Sequence, residues 1–284
     1  MKITAGIIGT GNIGTDLLVK ILKSKSIDFA AFVGRRSDSD GIRKANSMGV
    51  NTSINGIDYF VANPKVDIVF DCTDAFTAQR NWTIFQNLGI KVIDLTPAKI
   101  GPMCIPIINR DVIITNNNVN MVTCGGQASI PLLNLISICC IDLKYIEIVS
   151  QISSKSAGIA TRVNIDHYIH TTEDAIRNFT NCKTCKVILN LNPAEPCVDM
   201  QTTMFVQAEE IDFGKLQESL NDRIKLVRQY VPNYELVMMP VINEDGTLIL
   251  GVRVKGAGDY LPSYAGNLDI INCAALNVAE RLTA

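Results

Sequence analysis

Six residues near the start of the chain, Gly9-Thr-Gly11-Asn-Ile-Gly14, restrict its fold more than any other feature. They follow the apolar run Ile3-Thr-Ala-Gly-Ile-Ile-Gly9, which reads as a strand buried on both faces. They precede Thr15-Asp-Leu-Leu-Val-Lys-Ile-Leu22, whose apolar residues recur at helical spacing. A lone glycine triplet is weak evidence, but a glycine-rich turn between a buried strand and a helix is the dinucleotide-binding arrangement. The first glycine makes the turn. The second admits a pyrophosphate to the helix N-terminus, and the third lets helix pack on strand. Gly9, Thr10, Gly11, Asn12, Ile13 and Gly14 are therefore candidates for holding NAD or NADP.

The rest of the first half continues the alternation. Phe29–Val33, Val66–Phe70, Ile90–Asp94 and Val112–Thr115 read as further buried strands, with a helix over Thr77–Leu88. This predicts an α/β domain, a Rossmann-type doubly wound parallel sheet, over residues 1–123. Beyond it the pattern changes. Lys144–Gln151, Lys186–Asn190, Thr203–Ala208, Glu235–Ile242 and Thr247–Val254 alternate with period two, and Asn243-Glu-Asp-Gly246 is a hairpin turn. Helices are expected over Arg162–Asn178 and Phe213–Tyr230. Residues 124–266 thus read as an α+β catalytic and dimerisation domain with a mainly antiparallel sheet. A last helix, Leu268–Arg281 within residues 267–284, is expected to return to the first domain.

At the predicted join lies Thr123-Cys124-Gly-Gly-Gln127, ahead of an apolar, helix-like run. A helix N-terminus lowers a thiol pKa through its unpaired amides and dipole. Cys124 is accordingly the nucleophile candidate, with the two glycines expected to let a substrate approach the backbone. The bland alternative is a buried, inert thiol.

Bulk properties exclude several function classes. A net charge of -2 over 284 residues gives no hint of a nucleic-acid partner, which needs a basic surface. No apolar stretch is long enough to span a bilayer, so no membrane is expected. The fingerprint's early position leaves little room for a signal peptide. Nine cysteines, an odd number without regular spacing, suit a reducing cytoplasm.

Taken together, Gly9–Leu18, Asp94-Leu-Thr-Pro-Ala98 with Gly101-Pro102, Asn118–Pro131, Asn192-Pro-Ala-Glu-Pro196 and Asp259–Ile270 closely resemble the acylating acetaldehyde dehydrogenases. These are the CoA-dependent partners of 4-hydroxy-2-oxovalerate aldolase. The resemblance covers nearly the whole chain. It implies that a small aldehyde, coenzyme A and NAD⁺ interconvert with acyl-CoA and NADH. By the same resemblance, Cys124 attacks the aldehyde to give a thiohemiacetal, hydride leaves to the nicotinamide, and CoA resolves the thioester. Asn267 is implied to lie beside the nicotinamide and the cysteine, where a developing oxyanion needs donors. Its other reading is a helix cap before Leu268. A homo-oligomer and an aldolase partner are likewise implied.

Four departures from the family pattern stand out. Counting ten residues on from Asn192 reaches Thr202, where the family carries an aspartate thought to orient or deprotonate the cysteine. A threonine hydroxyl hydrogen-bonds a thiol but is no base near neutrality. Asp199, three residues earlier on the strand, is expected to face the other way. After the second strand, Val33-Gly34-Arg35-Arg36-Ser37 replaces the usual acidic residue. Arg35, Arg36 and Ser37 suit a 2′-phosphate, hence NADP, through charge-assisted bonds. A ribose held by Asp38 or Asp40 is the alternative. Finally, Gly158-Ile-Ala-Thr161 stands where the family has Gly-Pro-Gly-Thr, in the cofactor-holding segment to which Ser156, Ala157 and Gly158 belong. The chain also stops at Ala284, where many relatives continue with a tail, which bears on aldolase docking.

Other groupings are set aside. His167, His170, Cys182 and Cys185 combine on paper into a zinc site, but the histidines fall on a predicted surface helix, and no metal is expected. Cys139 and Cys140 read as core of an apolar helix, Trp82 as packing, and Glu195 as a turn carboxylate or a site residue. Two rival functions remain: a reductase of a longer or carrier-bound acyl thioester, and a non-catalytic cofactor-binding subunit that kept Cys124 but lost its base at Thr202. Retention of both the Cys124 and the Asn267 segments argues against the second.

Overall fold

The structure, a computed structural model, describes residues 2–283, except for the side chains of Ile159 and Ala160. The chain forms two compact units: Met1–Val122 with Gly158–His167 and Ile271–Ala284, and Thr123–Ala157 with Tyr168–Ile270.

In the first unit, β1 (Ile3–Ile8), β2 (Ile27–Val33), β3 (Thr52–Ser53), β4 (Ile68–Asp71), β5 (Lys91–Asp94) and β6 (Asn118–Asn120) form one sheet in the order β3-β2-β1-β4-β5-β6. Every pairing is parallel. The helices between them are α1 (Asn12–Ile21), α2 (Asp40–Ser47), α3 (Asp58–Ala62), α4 (Ala75–Leu88), α5 (Pro106–Asn109) and α6 (Val112–Thr115). Strand order reverses beside β1, and such a switch point opens a crevice at the strands' C-terminal ends.

The core follows from the sequence. Ile8, Val33, Phe60, Val69, Phe85 and Val92 pack together, with Trp82 partly buried against them. Phe60 and Phe85 meet edge to face with centroids 5.5 Å apart. Asp74 caps α4 by accepting the Thr77 N–H at 3.0 Å, and Gly89, at φ 70°, ends it.

One expected strand is a helix. Val112–Thr115 forms the short α6, and β6 lies just beyond, at Asn118–Asn120. The β-branched run buries Ile113, and Lys91 Nζ gathers the carbonyls of Ile113 (3.0 Å) and Asn116 (2.8 Å). The polar sequence Asn-Val-Asn hid the true strand.

The second unit begins with α7 (Cys124–Ile138), followed by β7 (Cys140–Ser153). After α8 (Ile159–Val163) and α9 (Ile165–Thr180) come β8 (Cys185–Asn192), β9 (Met200–Ile211), α10 (Phe213–Arg228), β10 (Tyr234–Ile242), β11 (Leu248–Val254) and α11 (Gly266–Glu280). Its five-stranded sheet runs β10-β11-β9-β7-β8; β7 and β8 are parallel and the other pairs antiparallel. Along β9, Met200, Thr202, Met204 and Val206 are buried, while Thr203 and Phe205 on the opposite face are half-exposed. The expected helix Arg162–Asn178 is split at Asn164 into α8 and α9. Cys139 and Cys140 leave the expected helix too. α7 stops at Ile138, Cys139 caps it in the core, and Cys140 opens β7 half-buried.

Within α11, residues from 271 onward belong to the first unit. Asn272 Nδ2 donates to Asp16 Oδ2 (2.8 Å) and to the Ile13 carbonyl (3.1 Å) on α1.

Candidate active site

In the first unit the glycines of the fingerprint have different physical reasons. Gly9 sits at φ 107°, and a Cβ there would lie 2.4 Å from the Cys72 carbonyl oxygen. A Cβ on Gly14 would lie 2.0 Å from the Gly9 carbonyl oxygen, so α1 packs directly on the turn. Around Gly11, by contrast, a Cβ meets nothing within 4 Å. That open space, at the N-cap of α1, fits a pyrophosphate on the helix amides.

A cavity of 940 Å³ continues from this turn, lined by Gly9, Thr10, Gly11, Arg35, Arg36 and Asp38 among others. Arg36 makes a forked pair with Asp38, at 3.0 Å through Nε and 2.9 Å through Nη2. This pairing holds the Asp38 carboxyl below its usual range. The Arg35 side chain lies over Gly56, with Cγ 3.5 Å from where a Cβ would stand. Ser37 is exposed, and Ser39 caps α2 while its Oγ lies 3.1 Å from Thr10 Oγ1. A Cβ on Gly158 would stand 3.7 Å from Asn12 Nδ2, which brings part of the expected cofactor segment to the fingerprint turn. Ser156 is buried and turned back on Ser153 by a 2.8 Å bond, and Ala157 is buried beside it.

Where β4 and β5 end, Asp71 and Asp94 face each other in register, both buried. Each accepts three donors: Thr73 N–H, Thr73 O–H and Asn81 for Asp71; Thr96 N–H, Thr96 O–H and Asn120 for Asp94. Burial and then the Asp71 charge nevertheless push Asp94 up to about 7, and burial lifts Asp71 as well. The amide of Asn120 then fixes the chain leading to Cys124: its Oδ1 accepts the Val122 N–H at 2.9 Å. Val122 sits at φ 62°, a strained conformation for a β-branched residue.

In the second unit Cys124 is the first residue of α7, half-buried. Its thiol differs from expectation. Burial pushes it above the ordinary cysteine value, and the Tyr168 hydroxyl and the Gly125 amide only partly offset this. The helix amides are already engaged: Gly126 N–H donates to Thr123 Oγ1 (3.0 Å) and Gly125 N–H to Tyr168 Oη (3.0 Å). Nor is the space beside Gly125 left for substrate. A Cβ there would stand 2.2 Å from Tyr168 Oη and 2.8 Å from Ser150 Oγ. Tyr168 Oη also lies 3.7 Å from Cys124 Sγ.

Tyr168 is the site residue that sequence reasoning missed. The available signal was a tyrosine and a threonine, Tyr168 and Thr172, four apart on one helix face.

Thr202, on β9, bonds Ser150 Oγ at 2.9 Å, and both are buried. Asp199 lies just before β9, and its charge helps raise the pKa of Arg253. Asn267 is the second residue of α11 rather than its cap, and is buried with no hydrogen-bond partner for Oδ1 among the described residues. Glu195 is exposed and paired with Lys155 at 2.5 Å. His167 and His170 are exposed on α9, while the Cys182 and Cys185 thiols point at backbone carbonyls.

Residues 4–116 match the family described as semialdehyde dehydrogenase, NAD binding domain. Residues 124–262 match prokaryotic acetaldehyde dehydrogenase, dimerisation. The chain is 53% identical over 275 residues to an acetaldehyde dehydrogenase of Spirochaeta aurantia, covering 96% of this chain and 92% of that one. It is 46% identical over 286 residues to one of Pectobacterium atrosepticum, covering 100% and 96%. Among solved structures, aspartate semialdehyde dehydrogenase II of Vibrio cholerae shares the fold, with a TM-score of 0.65 at 15% identity over 99% of this chain and 98% of that one. A parallel sheet with a dinucleotide turn, and a cysteine opening the first helix of a mixed-sheet unit, thus meet in one chain: it belongs to the prokaryotic acetaldehyde dehydrogenase family.

Proposed function

We propose that this chain is a CoA-acylating aldehyde dehydrogenase acting on acetaldehyde or a similarly short aldehyde. The observation that carries the reading is Cys124 at the first position of α7, with the Tyr168 hydroxyl 3.7 Å from its sulfur. The Cys124 thiolate adds to the aldehyde carbonyl, giving a thiohemiacetal. Loss of hydride leaves an acyl thioester on the sulfur, and the CoA thiol takes the acyl group and frees Cys124. The dinucleotide held at Gly9–Gly14 supplies the hydride acceptor. Buried Asn267 is assigned to the reacting oxygen, for which its amide is a suitable donor. The first unit serves as the dinucleotide-binding domain and the second as the catalytic and dimerisation domain.

Arg35 and Arg36, both lining the cavity that extends from the fingerprint, are assigned to the 2′-phosphate of NADP. The second unit supplies a homo-oligomer interface on the half-exposed face of its sheet, where Phe205 and Ile249 stand side by side in register. The similarity of residues 124–262 to a dimerisation family supports that assignment.

The test is the appearance of reduced nicotinamide on mixing protein, acetaldehyde and CoA, with NAD⁺ and NADP⁺ in parallel. Turnover that requires CoA, disappears in Cys124→Ala and shows the lower KM with NADP⁺ is the expected result. No turnover with either cofactor, despite measurable cofactor binding, would overturn the acylating reading. A strong preference for NAD⁺ would overturn the role given to the arginines.

A further inference from the structure

We propose that Tyr168 is a further catalytic residue: its phenolic O–H is the hydrogen-bond donor that holds the Cys124 thiolate, in place of a carboxylate base. The inference rests on Cys124 being the nucleophile of the proposed reaction.

Among the hydroxyls around the cysteine, Tyr168 is the one in contact with the sulfur. Thr172 Oγ1 spends its single proton on the Tyr168 carbonyl, 2.7 Å away and four residues back. The 2.7 Å contact between Thr123 and Thr172 must therefore use the Thr123 proton. Thr123 Oγ1 in turn accepts the Gly126 N–H at 3.0 Å. Tyr168 Oη accepts the Gly125 N–H at 3.0 Å and also meets the Thr123 hydroxyl, and the sulfur at 3.7 Å is the acceptor its proton gains when Cys124 is charged. Of Ser150 and Thr202, one hydroxyl donates to the other at 2.9 Å.

The position is built for this contact. Tyr168 is 7% exposed, and Gly125 lacks the Cβ that would sit 2.2 Å from its oxygen. The Thr123–Thr172 contact pins α9 to the N-cap of α7, and the bond from Thr172 to the Tyr168 carbonyl stays within α9. Three influences act on the Cys124 thiol among the described residues: burial, the Tyr168 hydroxyl, and the backbone N–H groups of Gly125 and Cys124. No charged side chain contributes. Tyr168 is itself held well above the usual phenol value, first by burial and then by the cysteine, so it keeps its proton. It is a donor and not a base. When Cys124 ionises, its proton goes to solvent, and the Tyr168 hydroxyl swings from lone-pair acceptor to S⁻ donor while keeping its bond from Gly125.

The experiment follows alkylation of Cys124 by iodoacetamide across pH, read by mass spectrometry of the peptide that contains it. Neither aldehyde nor cofactor is present. A hydrogen bond to a charged acceptor shifts a pKa by about one unit. Tyr168→Phe should therefore move the alkylation midpoint up by about one pH unit and slow the reaction about tenfold below it. A profile that superimposes on the unaltered protein overturns the proposal. A second variant keeps the packing intact: fluorotyrosine at position 168, a stronger donor, should move the midpoint down. An unmoved midpoint there overturns the proposal even if Tyr168→Phe fails to fold. The functional reading is judged separately. CoA-dependent turnover with unmoved midpoints sinks the role of Tyr168 alone, whereas shifted midpoints without turnover sink the dehydrogenase alone.

Discussion

Single residues decide more here than their types suggest, and the three fingerprint glycines separate cleanly. Gly14→Ala places a methyl group 2.0 Å from the Gly9 carbonyl oxygen, which the backbone must move to admit. It should destabilise the protein by about 1–3 kcal/mol, seen as a lower melting temperature without any ligand. Gly11→Ala meets nothing within 4 Å. It should leave the melt unchanged and weaken dinucleotide binding about tenfold in a fluorescence titration, because its methyl occupies the path of the pyrophosphate. Equal effects on the melt would contradict this division. The sequence made Cys124 and the fingerprint legible because both are contiguous motifs with a local mechanism. Tyr168 was not legible, since its partner is 44 residues away and the contact depends on how α9 meets the end of α7.

At the scale of elements, the ends of β4 and β5 form twin turns with buried carboxyls, and Asp94 holds the Asn120 that orders the chain before Cys124. Asp94 is pushed up to about 7 in the folded chain, from an ordinary value of 3.8. A raised carboxyl pKa means that the folded state binds the extra proton between those two values. Its contribution to stability is therefore present below about pH 4 and lost as pH rises toward 7. The loss amounts to up to about 4 kcal/mol. Urea unfolding between pH 5 and 8 should show stability falling, with the fall flattened in Asp94→Asn; a rising or flat curve in the unaltered protein would refute it. Asp94–Ala98 and Asn118–Pro131 stood out in the sequence, and the structure supplies a reason: Asp94 and Asn120 bond at 3.0 Å. What composition could not reveal was the strand between them. Asn118-Val-Asn120 is polar, and its strand character depends on Val92, Ile93 and Asp94 pairing with it. Val112–Thr115 has strand-like residues but only a turn's worth of chain, and Lys91 closes it as a helix.

For the whole molecule, both sheets were readable from hydrophobic periodicity, one parallel and one mainly antiparallel. The inclusion of residues 158–167 in the first unit was not, because no local pattern marks them as belonging to it. Assembly is testable at this scale. Phe205 is half-exposed in the middle of the open sheet face. Phe205→Asp should reduce the mass measured by light scattering to that of one chain, with the far-ultraviolet spectrum unchanged. An unaltered mass would place the interface elsewhere.

The bond from Asn272 to Asp16 joins residues 256 positions apart and closes the first unit around α1. On the ribosome this has a cost in time. At about 5–20 residues per second, roughly 10–50 s separate synthesis of the two partners. During that interval the whole second unit is made, while the nascent first unit still presents the apolar flank that α11 will cover. The order of emergence thus makes the unit translated first the last to be completed, and gives chaperones a defined window and a defined surface on the growing chain.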